Sequence, residues 1–167
     1  MYTSTVVYPI SANPPTLGHA DILRRACKKF KHVFWVAAIN PNKTSAIPQE
    51  IQLAMMNDYV EHYALDNVTI ANVAGSLMRY AIKMKVDFIL RGVRNTSDLQ
   101  AEMELSAGYR GINEEIETIC FFANPGLVTI SSSLVRELVT VGEKIDQYVV
   151  GGVAEKLYQL FDKKTDD

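Results

Sequence analysis

Short apolar runs alternate with amphipathic stretches along the whole chain, and that alternation predicts a succession of strands and helices. Residues 3–10 read as a buried strand, and residues 18–30 as a helix with Leu23, Ala26, Cys27 and Phe30 on one face. Residues 33–39 form a second buried strand. Residues 48–64 read as a helix with Pro48 in its first turn, where a missing N–H is harmless, and with Ile51, Met55, Tyr59 and Tyr63 on one side. A strand at 68–73 leads to a helix at 76–85, for which Ser76 is placed as N-cap. A short strand at 87–90, a helix at 97–111, a strand at 117–123 and two closing helices at 133–141 and 149–162 complete the series. The expected unit spans residues 1–162, and residues 163–167 read as a frayed tail. Strand–helix alternation of this kind predicts a single-domain, Rossmann-like, doubly wound parallel five-stranded sheet with helices on both faces.

In such a sheet, ligands bind beyond the carboxyl ends of the strands. Four polar segments leave those ends, at residues 11–19, 40–43, 91–94 and 130–133, and each carries a group able to hold phosphate. Thr16-Leu17-Gly18-His19 sits where the first strand gives way to the first helix. A helix start offers unpaired N–H groups and the positive end of a dipole, Gly18 lets a ligand approach the backbone, and His19 adds a donor that can also carry charge. The bland reading of His19 is a capping or core residue. Lys43 follows the second strand and suits a point contact with a phosphate, or else is a solvated loop lysine. Arg91-Gly92-Val93-Arg94 follows the fourth strand. Its two guanidiniums can each form paired hydrogen bonds to phosphate or can pair with Asp98, Glu102 or Glu104, and both uses can coexist. Ile130-Ser131-Ser132-Ser133 precedes a late helix, and three hydroxyls exceed what N-capping requires.

Composition narrows the field. Seventeen Lys and Arg against nineteen Asp and Glu give a net charge of −2, which argues against gripping nucleic acid through a basic face. Of the two cysteines, Cys27 and Cys120, neither has metal-ligand spacing, and both read as buried thiols of a reducing compartment. There is no charged leader followed by an apolar run and no apolar stretch of about 18 residues, so a cytoplasmic protein without membrane contact is expected. Glu102 and Glu104 lack metal-site partners, and no Ser-His-Asp set, Cys-His pair or HExxH occurs, which argues against nucleophile- or zinc-dependent hydrolases.

The order of these segments, TLGH, RGVR with downstream Asp98 and Glu102, then ISSSLVRE, resembles the bacterial phosphopantetheine adenylyltransferases of the nucleotidyltransferase superfamily, over roughly residues 6–160. The resemblance implies transfer of AMP from ATP to 4′-phosphopantetheine, giving dephospho-coenzyme A and pyrophosphate without a covalent enzyme intermediate. It implies Mg²⁺ brought with the ATP, no dedicated protein ligands for it, and a homohexamer. By position, it casts Ser11 as bridging acceptor and donor phosphates and His19 as stabilising the transition state. It places Lys43 and Arg91 on the acceptor's phosphate and Met78 on the pantetheine channel. Ala12, Gly92, Val93, Arg94 and Glu102 fall at the nucleotide, with Arg94 on its phosphates. Leu127, Val128, Thr129, Ile130, Ser131, Ser132 and Ser133 would wrap the adenine side and cap the outer phosphates.

The chain also departs from the family's pattern. Ile10-Ser11-Ala12-Asn13-Pro14 stands where that family has glycine-threonine-phenylalanine-aspartate-proline. Ala101 replaces a common aromatic, Tyr109 a common asparagine, and Ser76 a common acidic residue. Asn13-Pro14-Pro15 is similar to the nicotinate and nicotinamide mononucleotide adenylyltransferases, which makes a pyridine mononucleotide the alternative acceptor. Ile10 and Ala12 motivate a third reading, a catalytically weak paralogue that binds ATP or coenzyme A.

Overall fold

The computed structural model describes residues 3–39 and 45–162. Five strands, β1 (Thr5–Ile10), β2 (His32–Ile39), β3 (Val68–Ala74), β4 (Phe88–Val93) and β5 (Glu117–Phe122), form one sheet in the order β3-β2-β1-β4-β5. All four pairings are parallel. The helices are α1 (Leu17–Cys27), α2 (Gln49–His62), α3 (Leu77–Met84), α4 (Thr96–Ile112), α5 (Ser132–Thr140) and α6 (Gly151–Asp162), with a 3-10 turn at Pro125–Leu127. The expected fold class is the one observed. Among the described residues, no helix is long and apolar enough to cross a membrane.

Period-two alternation divides the core between the two faces of the sheet. Val6, Tyr8 and Ile10 of β1 and Val33, Trp35 and Ala37 of β2 join one cluster, with Leu23 of α1, Met55 of α2, Val135 of α5 and Leu157 of α6. Val7 and Val36 point the other way and pack with Leu77, Met78 and Ala81 of α3. Trp35 and Tyr59, both fully buried, meet edge to face at 6.1 Å. Lys156 Nζ, 2.8 Å from an Asp58 carboxylate oxygen, ties α6 to α2.

Several boundaries differ from those read in the sequence, each for a local reason. β4 does not stop at Leu90. Arg91, Gly92 and Val93 continue it because β5 pairs with them, opposite Cys120, Phe121 and Phe122; arginine and glycine are poor strand formers, and only the neighbouring ladder makes them strand. Ser76 does cap α3, its side chain accepting from the Arg79 N–H. α4 begins one residue earlier than expected, at Thr96, capped by Asn95, whose Oδ1 accepts from the Asp98 N–H at 2.8 Å. Cys27 and Cys120 are half-buried rather than buried; burial, with the Asp66 charge second, pushes the Cys27 thiol up to about 11. Gly92 has an unexpected role, because a Cβ there would stand 2.5 Å from Ile22 Cδ1. Ile22 of α1 packs over the glycine.

Leu157 is fully buried in the larger cluster. Leu157→Ala is expected to cost about 2–5 kcal/mol of unfolding free energy, read as a lower urea midpoint; an unchanged midpoint would contradict this placing of the core.

Candidate active site

Because the strands are parallel, their carboxyl ends share one edge of the sheet, and the central pair β1 and β4 ends beside the start of α1. A cavity of about 400 Å³ opens there. Three of the four polar segments line it: Ser11, Gly18 and His19 from the first, Arg91, Gly92 and Arg94 from the third, and Ile130 to Ser133 from the fourth, together with Leu127, Asp98 and Glu102. The remaining segment, including Lys43, lies outside the described residues.

His19 is the third residue of α1, and Thr16 is its N-cap. The Thr16 N–H donates to His19 Nδ1 at 3.0 Å, and Thr16 Oγ1 lies 3.0 Å from the same nitrogen. A nitrogen that accepts from a backbone N–H carries no proton of its own, so in a neutral ring the proton is on Nε2. Loss of water contact, with the Arg94 charge second, lowers the pKa of this half-buried ring from 6.5 to about 4. The capping reading of His19 is seen directly, and its ring also lines the cavity; with the pKa lowered to about 4, the ring of the free protein is a neutral N–H donor at neutral pH.

Both arginines pair with carboxylates. Arg91 Nε and Nη2 bind the two oxygens of Glu102 at 2.6 and 2.8 Å. Arg94 Nε and Nη2 bind Asp98 at 2.9 and 3.2 Å, and the Arg94 backbone N–H adds a third bond at 3.0 Å. Burial would lower the pKa of Arg91, but the hydrogen bond and charge of Glu102 prevail and raise it. The Arg94 hydrogen bond is the main cause holding the Asp98 carboxyl below its usual range. Glu104 lies elsewhere, along an outer groove of α4.

The serines divide their hydroxyls among protein partners. Ser131 Oγ caps α5 by accepting from the Leu134 N–H at 3.1 Å. Ser132 Oγ donates to the Pro14 carbonyl at 2.7 Å, and Ser133 Oγ accepts from Arg136 Nη2 at 3.3 Å. Ser131 and Ser133 act as acceptors in these bonds and keep their O–H protons for another acceptor, whereas Ser132 gives its proton to Pro14; the first backbone N–H groups of α5, which have no partner within the helix, add further donors.

Some expected residues fall off the cavity wall. Met78 is 1 % exposed and packed in the smaller core cluster, so its side chain lines no channel here. Ala12 and Val93 are buried, and Val128 and Thr129 are exposed on the loop beside the cavity. Conversely, the sequence reading missed Tyr8, Ile22 and Ala123, which line the cavity. Tyr8 alternates with Val6 and Ile10 and is indistinguishable from core by pattern. On the outer side of α4 a second groove, of about 480 Å³, is lined by Ala101, Leu105, Gly108, Tyr109 and Ile112. Tyr109 is half-buried and feels the charges of Arg91 and Glu102.

A doubly wound parallel sheet with an imidazole, two guanidiniums and the start of α5 gathered around a cavity at its strand ends defines a nucleotide-binding α/β protein. Residues 7–138 match the family model described as cytidylyltransferase-like. A phosphopantetheine adenylyltransferase of Aliivibrio fischeri is 34% identical over 157 residues, covering 94% of this chain and 97% of that one. That of Finegoldia magna is 33% identical, covering 98% and 100%. The chain belongs to the cytidylyltransferase-like family, and within it to the phosphopantetheine adenylyltransferases. Among solved structures, the Plasmodium falciparum nicotinic acid mononucleotide adenylyltransferase complexed with NaAD superposes with a TM-score of 0.70 at 13% identity, covering 96% of this chain and 98% of that one. At that identity the likeness concerns the fold alone.

The state of His19 has a consequence for stability. Between pH 6.5 and about 4 the unfolded chain binds a proton on this ring that the folded chain does not. The contribution of this group therefore falls as pH drops through that window and is constant above it. His19→Gln is expected to lose less stability than the parent between pH 7 and pH 4 in urea titrations; equal losses would show that the ring is not held neutral.

Proposed function

We propose that this protein transfers the adenylyl group of ATP to the phosphate of 4′-phosphopantetheine, giving dephospho-coenzyme A and pyrophosphate. The observation that carries the reading is the convergence of His19, Arg91, Arg94 and the start of α5 on one cavity, in a chain that matches phosphopantetheine adenylyltransferases over nearly its full length. An oxygen of the acceptor phosphate attacks the α-phosphorus in line, and the bond to the β-phosphate oxygen breaks, its electron pair leaving with pyrophosphate. Such a reaction asks a protein for positioning and charge stabilisation rather than a nucleophile.

In this reading His19 donates its Nε2–H to an α-phosphate oxygen as charge grows there. Arg94, beside Gly92 and Val93, serves the donor's phosphates, and the N–H groups of Ser132 and Ser133 hold the outer ones. Arg91, held by Glu102, and Lys43 take the acceptor's phosphate, with Ser11 between the two ligands. The groove at Ala101, Leu105 and Tyr109 suits part of the acceptor's pantetheine arm. The small Ala101 and the large Tyr109 redistribute its volume relative to the family pattern. Mg²⁺ would neutralise triphosphate charge. The cavity's two carboxylates, Asp98 and Glu102, are both engaged by arginines, a donor set that fits a metal carried by the nucleotide rather than one resident on the protein. We further assign a cytoplasmic homohexamer, for which the exposed Met103, Ile112 and Phe122 offer apolar contact surface.

The competing acceptor is nicotinate or nicotinamide mononucleotide, favoured by Asn13-Pro14-Pro15. Pyrophosphate release from ATP, followed in parallel with phosphopantetheine and with each mononucleotide, tests the assignment. Release with phosphopantetheine alone is expected; release only with a mononucleotide reverses the acceptor, and release with none points to a binding protein. His19→Ala is expected to lower kcat by about 10²-fold or more, the scale of one lost transition-state donor, and wild-type turnover would reject its role. Lys43→Ala is expected to raise the KM for the acceptor more than that for ATP; equal rises would contradict its placing.

A further inference from the structure

The turn between β1 and α1 has few donors of its own. Pro14 and Pro15 have no N–H, and Ala12, buried and non-glycine, sits at φ 50 in the left-handed region, a conformation that persists only when the surroundings impose it. Three successive carbonyls of this turn each accept from a side chain distant in sequence. Asn13 O accepts from Arg136 Nη1, Pro14 O from Ser132 Oγ at 2.7 Å, and Pro15 O from Tyr59 OH at 3.3 Å. The next residue is Thr16, whose N–H fixes His19 Nδ1. Two of the three donors belong to α5, the helix whose first N–H groups face the same cavity.

We propose that Ser132 and Arg136 are positioning residues for His19. By pinning the carbonyls of Asn13 and Pro14 to α5, they set the Thr16 N–H. That N–H in turn holds the imidazole in the single tautomer that turns Nε2–H toward the cavity. A backbone hydrogen bond selects a tautomer only while its donor stays aligned, and the peptide bearing the Thr16 N–H begins at Pro15. If the turn loosens, the Nδ1–H form becomes available, and its ring has no proton on the nitrogen facing the ligand. The same contacts register the α5 N–H groups against His19, so the site for the outer phosphates and the donor at the α-phosphate move as one body. The arrangement rests on the role of His19 proposed above, but the state of the ring can be observed without any reaction.

The test is ¹⁵N NMR of histidine-labelled protein at pH 7, with the His19 signals assigned by their loss in His19→Gln. In the parent protein a protonated Nε2 and an unprotonated Nδ1 are expected. In Ser132→Ala and in the Ser132→Ala/Arg136→Gln double variant, with folding checked by the fluorescence of buried Trp35, both nitrogens shift toward values averaged between tautomers. In pyrophosphate release the same variants lose kcat, by up to about 10²-fold as for a misplaced catalytic group. Ser132→Thr, which keeps the hydroxyl, restores both the ring signals and kcat. Parent-like ring signals in the folded double variant would overturn the proposal whatever its activity, and so would a loss of kcat without any change in those signals. Averaged signals in a protein inactive with every acceptor would uphold the positioning and reject only the assigned reaction. Ser132→Ala removes a single oxygen, so it supplies the reading if the double variant does not fold.

Discussion

Everything at the site depends on how β1 ends. The strand lies in the middle of the sheet, paired on both sides, and its apolar side chains are shared between two cores, so its direction and position are set by the whole molecule. Six residues then separate it from the start of α1. Two of them are prolines and one is a left-handed alanine. A segment so poor in backbone donors cannot satisfy itself, and an unpaired buried carbonyl costs free energy comparable to a lost hydrogen bond. It is satisfied instead by α2 and α5. The demand for partners at one turn thereby draws two remote helices to the strand end that carries the chemistry.

Electrostatics inside the cavity follow a similar logic. Two arginines facing a partly enclosed space would repel each other without carboxylate partners, and Glu102 and Asp98 supply those partners with paired geometry. The fixed charges of the arginines and carboxylates lining the cavity thereby pair off. In the proposed reaction a polyanion would gain from directed donors rather than from net positive charge: the first N–H groups of α5, the His19 Nε2–H and the guanidinium edges. Donors preset in this way need little reorganisation when charge develops, which is why such sites stabilise transition states more effectively than bulk water.

Much of the fold was legible because its signals are local and redundant. The apolar strands β1 and β2, the amphipathic α1 and α2, and Ser76 as a cap all follow from period and propensity. The ends of elements were less legible where partners decide them. Arg91-Gly92-Val93 is strand only because β5 lies alongside, and Gly92 serves helix packing through Ile22, a residue 70 positions earlier. At the site, the cation- and hydroxyl-bearing segments could be listed from the sequence, but not their internal pairings. The spacing of Arg94 and Asp98 allowed an ion pair or a phosphate site equally well, and only packing settled it as an ion pair in the free protein.

The chain by itself determined that strands and helices alternate, that the ligand-facing segments carry phosphate-compatible groups, and which family's order of motifs they follow. These are properties of residues and their near neighbours, where spacing and side-chain chemistry suffice. Tertiary structure alone decided that Ser132 gives its hydroxyl proton to Pro14, that Met78 faces core, that Tyr8 lines the cavity, and that His19 is a neutral donor with its proton on Nε2. Each of these depends on which donor meets which acceptor across long chain separations, such as Ser132 with Pro14, and on how much water is excluded there. Neither is encoded in any local stretch of sequence.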